Sequence, residues 1–432
     1  MNWLGKLLKS SFYPAILQWP TVFVFAVVIY QLLYGPASSQ SNFGTSMTWV
    51  LWWPVIPLVF FVFGRMWCAI CPFATVSDIV QRLVGNNRRV PEFLRKYGIW
   101  IIDALFILIT WADHVFGIVE SPRGSGILLL MIIAGVVTMG AFFERRAWCK
   151  YLCFLGGVAG NYSRSGSIDI TSDAQKCKAC NVKACYKGSA RIAGCPMFGM
   201  PLTIGSDSCN LCGNCFKTCP NNSVVAKVRI PGSGLWFINN PKLSESSLAI
   251  VIMSIVFVQN ATMLEVWSKA QSWVENLLGT SSYGIIFTVI FSAAVLATIG
   301  SMVLASGLSS FINKDSLIDN FARFGYAFIP LDLMAHMAHN LFHLLAEGKN
   351  VIYTALALLG INASGSNALL DGTTISVLQF VLLGAGTLGS LVALFKLNKG
   401  RSAKGIIPMI GLIIIFLIIN IYLFLLPMSH RV

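Results

Sequence analysis

Long apolar stretches constrain this chain more than any other feature. A bilayer core of about 30 Å takes roughly 20 apolar residues in a helix, and nine stretches approach that length. Only 11% of the residues are charged, whereas an ordinary soluble domain is about 25% charged. The pattern excludes a plain soluble enzyme. It predicts nine transmembrane helices, near residues 20–35, 48–64, 98–118, 125–143, 246–266, 283–306, 324–346, 375–396 and 405–427.

The basic residues predict the direction of these helices. The chain has 31 Lys and Arg against 17 Asp and Glu, a net charge of +14. If nine spans alternate from a cytoplasmic N-terminus, all but four of the 31 lie on the cytoplasmic side, as the positive-inside rule expects. The four on the outer side are Arg123, Lys269, Lys349 and Arg431. We expect a multi-pass protein of the inner (cytoplasmic) membrane with its C-terminus outside. Because the charge is spread over the turns, nucleic acid is not an expected partner.

One hydrophilic stretch interrupts the apolar pattern and predicts three domains. Residues 155–243 carry eight of the twelve cysteines and would be cytoplasmic. They separate an N-terminal four-helix membrane domain, residues 1–154, from a C-terminal five-helix membrane domain, residues 244–432. We therefore predict an all-α polytopic membrane protein with one soluble insertion.

Cysteine spacing predicts what the insertion binds. Cys209, Cys212, Cys215 and Cys219 form the pattern C-x2-C-x2-C-x3-C-P. This is the spacing of bacterial ferredoxins, in which three cysteines hold one 4Fe-4S cluster and the fourth crosses to another. The crossover predicts two sets: Cys177, Cys180, Cys185 and Cys219 for cluster 1, and Cys209, Cys212, Cys215 and Cys195 for cluster 2. The insertion is thus predicted to be a two-cluster, ferredoxin-like α+β domain.

Disulfides and structural zinc are the alternatives for these eight cysteines. Cytoplasmic thiols stay reduced, which disfavours disulfides. Zinc sites rarely need two interlocked sets of four cysteines with a proline after the last ligand. Iron-sulfur clusters are the favoured interpretation.

The other four cysteines lie in an internal repeat. The second predicted span ends in Arg-Met-Trp-Cys-Ala-Ile-Cys, residues 65–71, and the fourth ends in Arg-Ala-Trp-Cys-Lys-Tyr-Leu-Cys, residues 146–153. Cys68, Cys71, Cys149 and Cys153 could together hold one further cluster or one zinc ion. Trp67 and Trp148 are expected to be interfacial anchors.

Paired cysteine motifs after membrane hairpins, followed by a ferredoxin module, resemble the NapH/NosR/MauN-type family of membrane polyferredoxins. The resemblance covers roughly residues 20–225. This chain departs from the usual motif in having two residues between Cys68 and Cys71, and Phe154 where proline is usual. The resemblance implies 4Fe-4S clusters, quinol oxidation, and electron delivery to respiratory reductases or maturation systems.

A second candidate site lies in the seventh predicted span. His336, His339 and His343 share one helical face, and ionisable groups within a span indicate a functional site. A quinone site is the favoured interpretation, in which these histidines move protons with Asp332 or Asp113. The alternatives are hydrogen bonds between helices, b-type haem ligated by His114 and one of the three, and a divalent metal on His339 and His343.

These features together predict electron transfer that links the quinone pool to a redox partner in a respiratory chain. Other subunits of a respiratory or redox complex are the expected partners. The direction of electron flow stays open, as does whether the chain is itself a quinol dehydrogenase or an oxidoreductase subunit. Two alternatives are a noncatalytic anchor and wiring subunit, and a protein that reduces a metal ion for maturation or transport.

Overall fold

The computed structural model describes residues 3–427, so Arg431 lies outside the described part of the chain. Within that range the chain is mostly helical, with one small sheet. The helices are α1 (Trp3–Lys9), α2 (Ala15–Tyr34), α3 (Phe43–Thr45), α4 (Trp53–Phe63), α5 (Trp67–Ile70), α6 (Pro72–Val84), α7 (Glu92–Phe116), α8 (Pro122–Phe142), α9 (Ala147–Tyr151), α10 (Phe154–Tyr162), α11 (Ala174–Lys178), α12 (Ala184–Lys187), α13 (Asn214–Thr218), α14 (Leu243–Ala261), α15 (Glu265–Leu278), α16 (Tyr283–Asn313), α17 (Leu317–Phe324), α18 (Ile329–Glu347), α19 (Lys349–Leu358), α20 (Gly372–Leu397) and α21 (Ile407–Leu425). The strands are β1 (Ile168–Ser172) and β2 (Val224–Val228).

Eight helical segments in the described residues are long and apolar enough to cross a membrane, where the sequence predicted about nine. The predicted seventh span forms a helix, α18, but it is not among the eight. Asp332, three histidines, Asn340 and Glu347 make this helix too polar to qualify by composition. The eight segments are Ala15–Tyr34, Phe43–Val84, Glu92–Phe116, Pro122–Phe142, Leu243–Ala261, Tyr283–Asn313, Gly372–Leu397 and Ala403–Leu425.

The described residues form two compact units. Within residues 3–427, the first unit comprises the residues up to 33, 58–102 and 126–234, and the second comprises 34–57, 103–125 and the residues from 235 onward. The first unit contains all twelve cysteines, and the second contains α18 with its three histidines.

A small sheet organises the insertion in the first unit. Strands β1 and β2 pair antiparallel, with Ile168 opposite Val228 and Ser172 opposite Val224. The inward side chains alternate along each strand, as a half-buried sheet requires. Residues Leu4, Leu8 and Tyr13 pack onto this core, which also contains Ile168, Ile170, Leu211, Phe216, Val224 and Ala226. The N-terminal helix α1 is therefore part of the insertion's core.

Helix α18 is the buried centre of the second unit. Its residues from Ile329 to Ala335 are almost all buried, and it packs against α14 and α20. Helix α20 approaches it closely at a glycine: a Cβ at Gly386 would lie 2.7 Å from the Cβ of Met334 and 3.0 Å from the Cα of Leu331. Close packing of this kind is usual where small residues line a helix interface.

Candidate functional site

The two halves of the repeated motif have the same local structure. After α4, a 3-10 turn (Gly64–Met66) leads into α5, and Cys71 then caps the N-terminus of α6. In the second half, Cys153 caps α10 in the same way, and its Sγ accepts a hydrogen bond from the backbone N of Gly156 at 3.3 Å. A helix N-terminus stabilises a nearby negative charge. The last cysteine of each half thus occupies a position that suits a thiolate.

The cysteine thiols of the two halves of the repeat lie near one another. Burial raises the pKa of Cys149, and the charges of Cys153 and Cys68 raise it further, while Arg146 lowers it. Burial raises the pKa of Cys153 to about 12, with further contributions from Cys71 and Cys68. Such effects act between groups that lie close together. The cysteines of the two halves are therefore neighbours.

The repeat arginines reach across from one half to the other. Arg146 is 3% exposed, and its Nη1 donates to the carbonyl oxygen of Cys68 at 2.6 Å. Its Nε and Nη2 donate to the two carboxylate oxygens of Asp78 at 3.0 and 2.6 Å. Arg65 lies beside Cys153 and lowers the pKa of that thiol, and its Nη1 donates to the carbonyl oxygen of Asp207 at 2.6 Å. Arg65 therefore brings positive charge to Cys153 of the other half, whereas Arg146 brings it to Cys149 of its own half and binds the carbonyl of Cys68.

The second set of cysteines encloses a cavity in the insertion. Cys195, Cys209, Cys212 and Cys215 line it together with apolar side chains such as Leu8, Ile170 and Phe216. Burial and the neighbouring thiols raise the pKa of Cys212 to about 11, and the pKa of Cys215 rises well above its usual value for the same reasons. Arg146 lowers the pKa of Cys212, so this side chain lies near both the repeat cysteines and the second set.

The cysteines of the first set lie nearer to solvent, and one serine hydroxyl lies close to two of them. Burial raises the pKa of Cys185, followed by the charges of Cys219, Cys177 and Cys180. Burial also acts to raise the pKa of Cys219, but hydrogen bonds from the Ser223 hydroxyl and from backbone N–H groups lower it overall. The Ser223 Oγ lies 3.5 Å from the Sγ of Cys219 and 3.6 Å from that of Cys177.

Arg145 joins the repeat to the insertion. Its backbone is left-handed, with φ of 55°. The side chain donates to the carbonyl oxygens of Cys195 and Tyr186, both at 3.1 Å. Its guanidinium also stacks over the rings of Tyr186 and Phe198, at 4.3 and 4.9 Å from their centroids. Arg145 and Arg146 therefore contact residues of all three cysteine sets or their immediate neighbours.

These sites fit iron-sulfur clusters. All twelve cysteines lie within the described residues, and each is a free thiol. Within residues 3–427, no three His, Cys, Asp or Glu side chains are grouped so as to hold a single metal ion.

Buried nitrogen donors that lack a hydrogen-bond partner also support iron-sulfur clusters at these sites. Arg65 Nε and Nη2, Trp148 Nε1 and Asn210 Nδ2 are buried without a hydrogen-bond partner in the described part of the chain. Each belongs to a residue of the cysteine motifs or next to a cysteine. Orphaned buried donors are costly, and the sulfur atoms of a cluster and its thiolates are acceptors that would satisfy them.

The predicted histidine site lies in the second unit. His336 is buried, and its ring centroid lies 6.1 Å from that of Trp53. The Nδ1 of His339 is hydrogen-bonded to Oδ1 of Asn260 in α14 at 2.7 Å, and Asp332 is fully buried one to two turns away on the same helix. The Nδ1 of His343 lies 3.8 Å from Oε2 of Glu347. The three histidines thus contact three different neighbours.

His114 and Asp113 make local contacts at the end of α7. The ring of His114 stacks on Phe287 of α16 with centroids 4.9 Å apart, and its Nδ1 lies 2.9 Å from the carbonyl oxygen of Thr110. Oδ1 of Asp113 accepts a hydrogen bond from the backbone N of Val119 and so fastens the turn after the helix. These contacts give both residues a structural role, whatever further role they have.

Sequence reasoning missed the side chains around the cysteines. Arg65 and Arg146 were visible in the repeat, but their charges were used only to orient the spans. Asp78, Arg145, Ser223 and Trp53 carry no motif of their own. A tandem arginine at a repeated position beside cysteines was the signal that could have identified Arg145 and Arg146.

Comparison with known proteins agrees with this geometry. Residues 45–91 and 125–169 each match a family described as a 4Fe-4S binding domain, and these ranges contain the two halves of the repeat. The methylamine utilization ferredoxin-type protein MauN of Paracoccus denitrificans is 28% identical over 174 residues, which is 38% of this chain and 50% of MauN. The ferredoxin-type protein NapH of Escherichia coli is 21% identical over 183 residues, which is 38% of this chain and 62% of NapH.

The chain spans about half the length of the curated relatives it matches. No solved structure matches it. The predicted resemblance is confirmed: over about 38% of its length, this chain is similar to the ferredoxin-type membrane proteins, and its repeated cysteine motif matches a 4Fe-4S binding domain.

Proposed function

We propose that this protein carries electrons through three 4Fe-4S clusters and links the quinone pool to a redox partner in a respiratory chain. The observation that carries the proposal is the match of both halves of the cysteine repeat to a 4Fe-4S binding domain, together with twelve free cysteines whose spacing predicts three sets of four. Cys68, Cys71, Cys149 and Cys153 would hold one cluster, and the two crossed sets of the insertion would hold the others. In this proposal the protein crosses the inner membrane several times, with the clusters on the cytoplasmic side.

Each cluster, when bound, supplies one-electron chemistry at a potential that hydrogen bonds, charge and solvent exposure determine. The chain's own residues supply those influences. Arg65 and Arg146 bring positive charge to the repeat cysteines, and Arg145 holds the carbonyl of Cys195. The Ser223 hydroxyl donates to the sulfur of Cys219 and lies 3.6 Å from that of Cys177. The apolar side chains around Cys209 and Cys212 exclude water.

Contacts between the cysteine sets support a defined order of electron transfer. Arg146 donates to the carbonyl oxygen of Cys68, and the adjacent Arg145 donates to that of Cys195, so the repeat site and the second set are neighbours. The backbone N of Cys195 donates to the carbonyl oxygen of Cys185 at 3.0 Å, which relates the second set to the first. Electrons would therefore pass between the repeat site and the solvent-facing first set by way of the second set.

The histidine helix supports the quinone link. Quinone reduction needs two electrons and two protons, and imidazole titrates in the physiological range. His336 beside Trp53, His339 on Asn260, and the buried Asp332 would form a proton-exchanging, partly aromatic site within the second unit. MauN and NapH, to which this chain is similar, are ferredoxin-type proteins, and this agrees with electron transfer.

The test of the cluster count is iron and acid-labile sulfide analysis on the purified full chain, with visible and EPR spectra. Three 4Fe-4S clusters require about 12 iron and 12 sulfide per chain. The Cys71→Ser plus Cys153→Ser variant should lose about four of each, and Cys212→Ser plus Cys215→Ser a different four. A wild-type content of about 8 would remove the cluster from the repeat site, and a Soret band would assign the histidines to haem.

The test of the quinone link is reduction of the clusters by a short-chain quinol in anaerobic stopped flow. We expect reduction of the wild-type clusters by quinol, with dithionite giving the full extent. Clusters that dithionite reduces but quinol does not would refute the link and leave the electron-transfer proposal in place.

A further inference from the structure

An exposed basic surface is formed by the segment that carries Cys177, Cys180 and Cys185 of the first set. It consists of Lys176, Lys178, Lys183, Lys187 and Arg191, all exposed. No acidic residue occurs between Asp173 and Asp207. None of the five takes part in an ion pair of the described residues. These charges are therefore available to a partner.

The rule that orients membrane proteins does not account for this surface. That rule counts basic residues within about 15–20 residues of the ends of the spans. Lys176 follows the last residue of α8, Phe142, by 34 positions (176 minus 142), and Arg191 precedes the first residue of α14, Leu243, by 52 (243 minus 191). The surface lies too far along the chain from either span to be explained by insertion alone.

One exposed apolar residue, Val182, lies among these basic residues in the sequence. Val182 falls between Cys180 and Cys185 and is 61% exposed. The next residue, Lys183, has a left-handed backbone with φ of 49°, which makes a sharp turn at this point. Protein interfaces commonly combine a small apolar centre with a polar or charged rim. All four cysteines of the first set are partly exposed, and the segment between them carries exposed residues such as Val182 and Lys183, so a docked protein could approach this set closely.

We propose that this basic surface docks an acidic one-electron carrier protein, which exchanges electrons with the cluster of Cys177, Cys180, Cys185 and Cys219. The inference rests on the proposed function, because it requires a cluster at that set. Opposite charge on the two partners speeds encounter and orients the carrier more than it strengthens binding. In the exchange, the carrier loses one electron and one cluster of this chain gains it, or the reverse.

The probe is a plant-type ferredoxin, an acidic protein, reduced photochemically and mixed with the oxidised full chain in nanodiscs of zwitterionic lipid. Stopped flow measures the second-order rate of cluster reduction. We expect this rate to fall at least about tenfold as salt is raised from about 20 to 500 mM, because screening shortens the range of the attraction. A basic cytochrome c should show no such preference for low salt.

Charge reversal separates this surface from the net charge of the protein. Lys178→Glu plus Lys183→Glu plus Lys187→Glu should slow the ferredoxin reaction at low salt by about tenfold or more. The single variant Lys187→Glu is matched to Lys227→Glu, an exposed lysine on β2 of the same insertion. We expect Lys187→Glu to slow the reaction severalfold and Lys227→Glu to change it less than twofold. All variants should keep the wild-type iron content and dithionite-reduced EPR spectrum.

Three outcomes would overturn the inference. The triple variant could react with ferredoxin as fast as the wild type, or Lys227→Glu could have the same effect as Lys187→Glu. In nanodiscs with anionic lipid, the wild type could lose both its salt dependence and its difference from the triple variant, which would show that the surface faces lipid headgroups. A wild-type protein without reducible clusters would instead refute the proposed function itself.

Discussion

Arg146 and Asp78 form a two-bonded ion pair that joins the two halves of the repeated motif. Nε and Nη2 of the arginine donate to the two carboxylate oxygens at 3.0 and 2.6 Å, while Nη1 donates to the carbonyl oxygen of Cys68. Each nitrogen of the guanidinium thus has a partner, which fixes its orientation. Because it is beside Cys149 and Cys212, it can influence two cluster potentials at once.

This pair predicts potential shifts of opposite sign. Arg146→Gln removes a positive charge, which disfavours the reduced cluster, so the reduction potential of the repeat site should fall. Asp78→Asn removes a negative charge and should raise it. A shift of about 59 mV corresponds to a tenfold change in a one-electron equilibrium. EPR-monitored redox titration measures both shifts.

Stability provides the control for this experiment. Both substitutions break the pair and should lower the stability of the first unit, by about 2 kcal/mol for Arg146→Gln. That is less than the roughly 3–5 kcal/mol of a fully buried pair, since Asp78 is 28% exposed. Arg146→Lys keeps the charge but loses the bidentate geometry, so it should destabilise the protein with a smaller potential shift. Shifts of the same sign for Arg146→Gln and Asp78→Asn would show that the pair acts only through structure.

Ser223→Ala should lower the reduction potential of the first cysteine set. The hydroxyl lies within hydrogen-bond reach of Cys219 and Cys177, and donation to cluster thiolates stabilises the more negative, reduced state. Ser172→Ala is the matched control, because its hydroxyl bonds only to Cys177, at 3.1 Å. Redox titration of the EPR signals should give a larger fall for Ser223→Ala than for Ser172→Ala. Equal effects would mean that the bond to Cys219 contributes nothing.

Gly386→Ala should destabilise the second unit, and Gly384→Ala should not. A Cβ at Gly386 would meet Met334 and the backbone of Leu331, whereas one at Gly384 would meet nothing within 4 Å. Overpacking costs about 1–3 kcal/mol, partly offset by the better helix propensity of alanine, about 1 kcal/mol. Thermal unfolding in detergent measures the difference. Equal melting temperatures for the two variants would contradict the close approach of α20 to α18.

The sequence predicts the cysteine chemistry well because spacing alone is informative there. The pattern of Cys209, Cys212, Cys215 and Cys219 specifies a local fold and a crossover, and the repeat of Cys68 and Cys149 specifies symmetry. Apolar length likewise identifies most of the spans. These are local properties of the chain, readable without knowledge of its tertiary contacts.

The rest depends on contacts between distant segments. A pair of arginines at residues 145 and 146 satisfies the charge rule for membrane turns whatever it touches, so its bonds to Asp78 and Cys195 leave no separate pattern. Helix α1 is too short to reveal that Leu4 and Leu8 belong to the insertion's core. Helix α18 carries polar residues, and other helices enclose its first half. Its composition alone does not distinguish such an enclosed helix from a span that faces lipid and contains a few charged residues.

The histidine helix gives the prediction that bears on the quinone link. His339 is anchored by Asn260, and the neighbouring Asp332 is buried, so this part of α18 can hold and pass a proton in a place that water reaches poorly. His339→Leu removes the titratable ring and should slow quinol-driven reduction of the clusters by about 100-fold, within the range usual for loss of an acid–base group.

His114→Leu is the matched control. Its ring stacks on Phe287, and its removal should leave the rate within about twofold. Dithionite reduction and iron content should stay at wild-type values in both variants, because neither histidine belongs to a cysteine set. If His114→Leu is the slower of the two, the proton-exchanging site lies at the end of α7. If both variants react with quinol at the wild-type rate, the histidines serve only to pack the helices, and the quinone, if it binds, uses other residues.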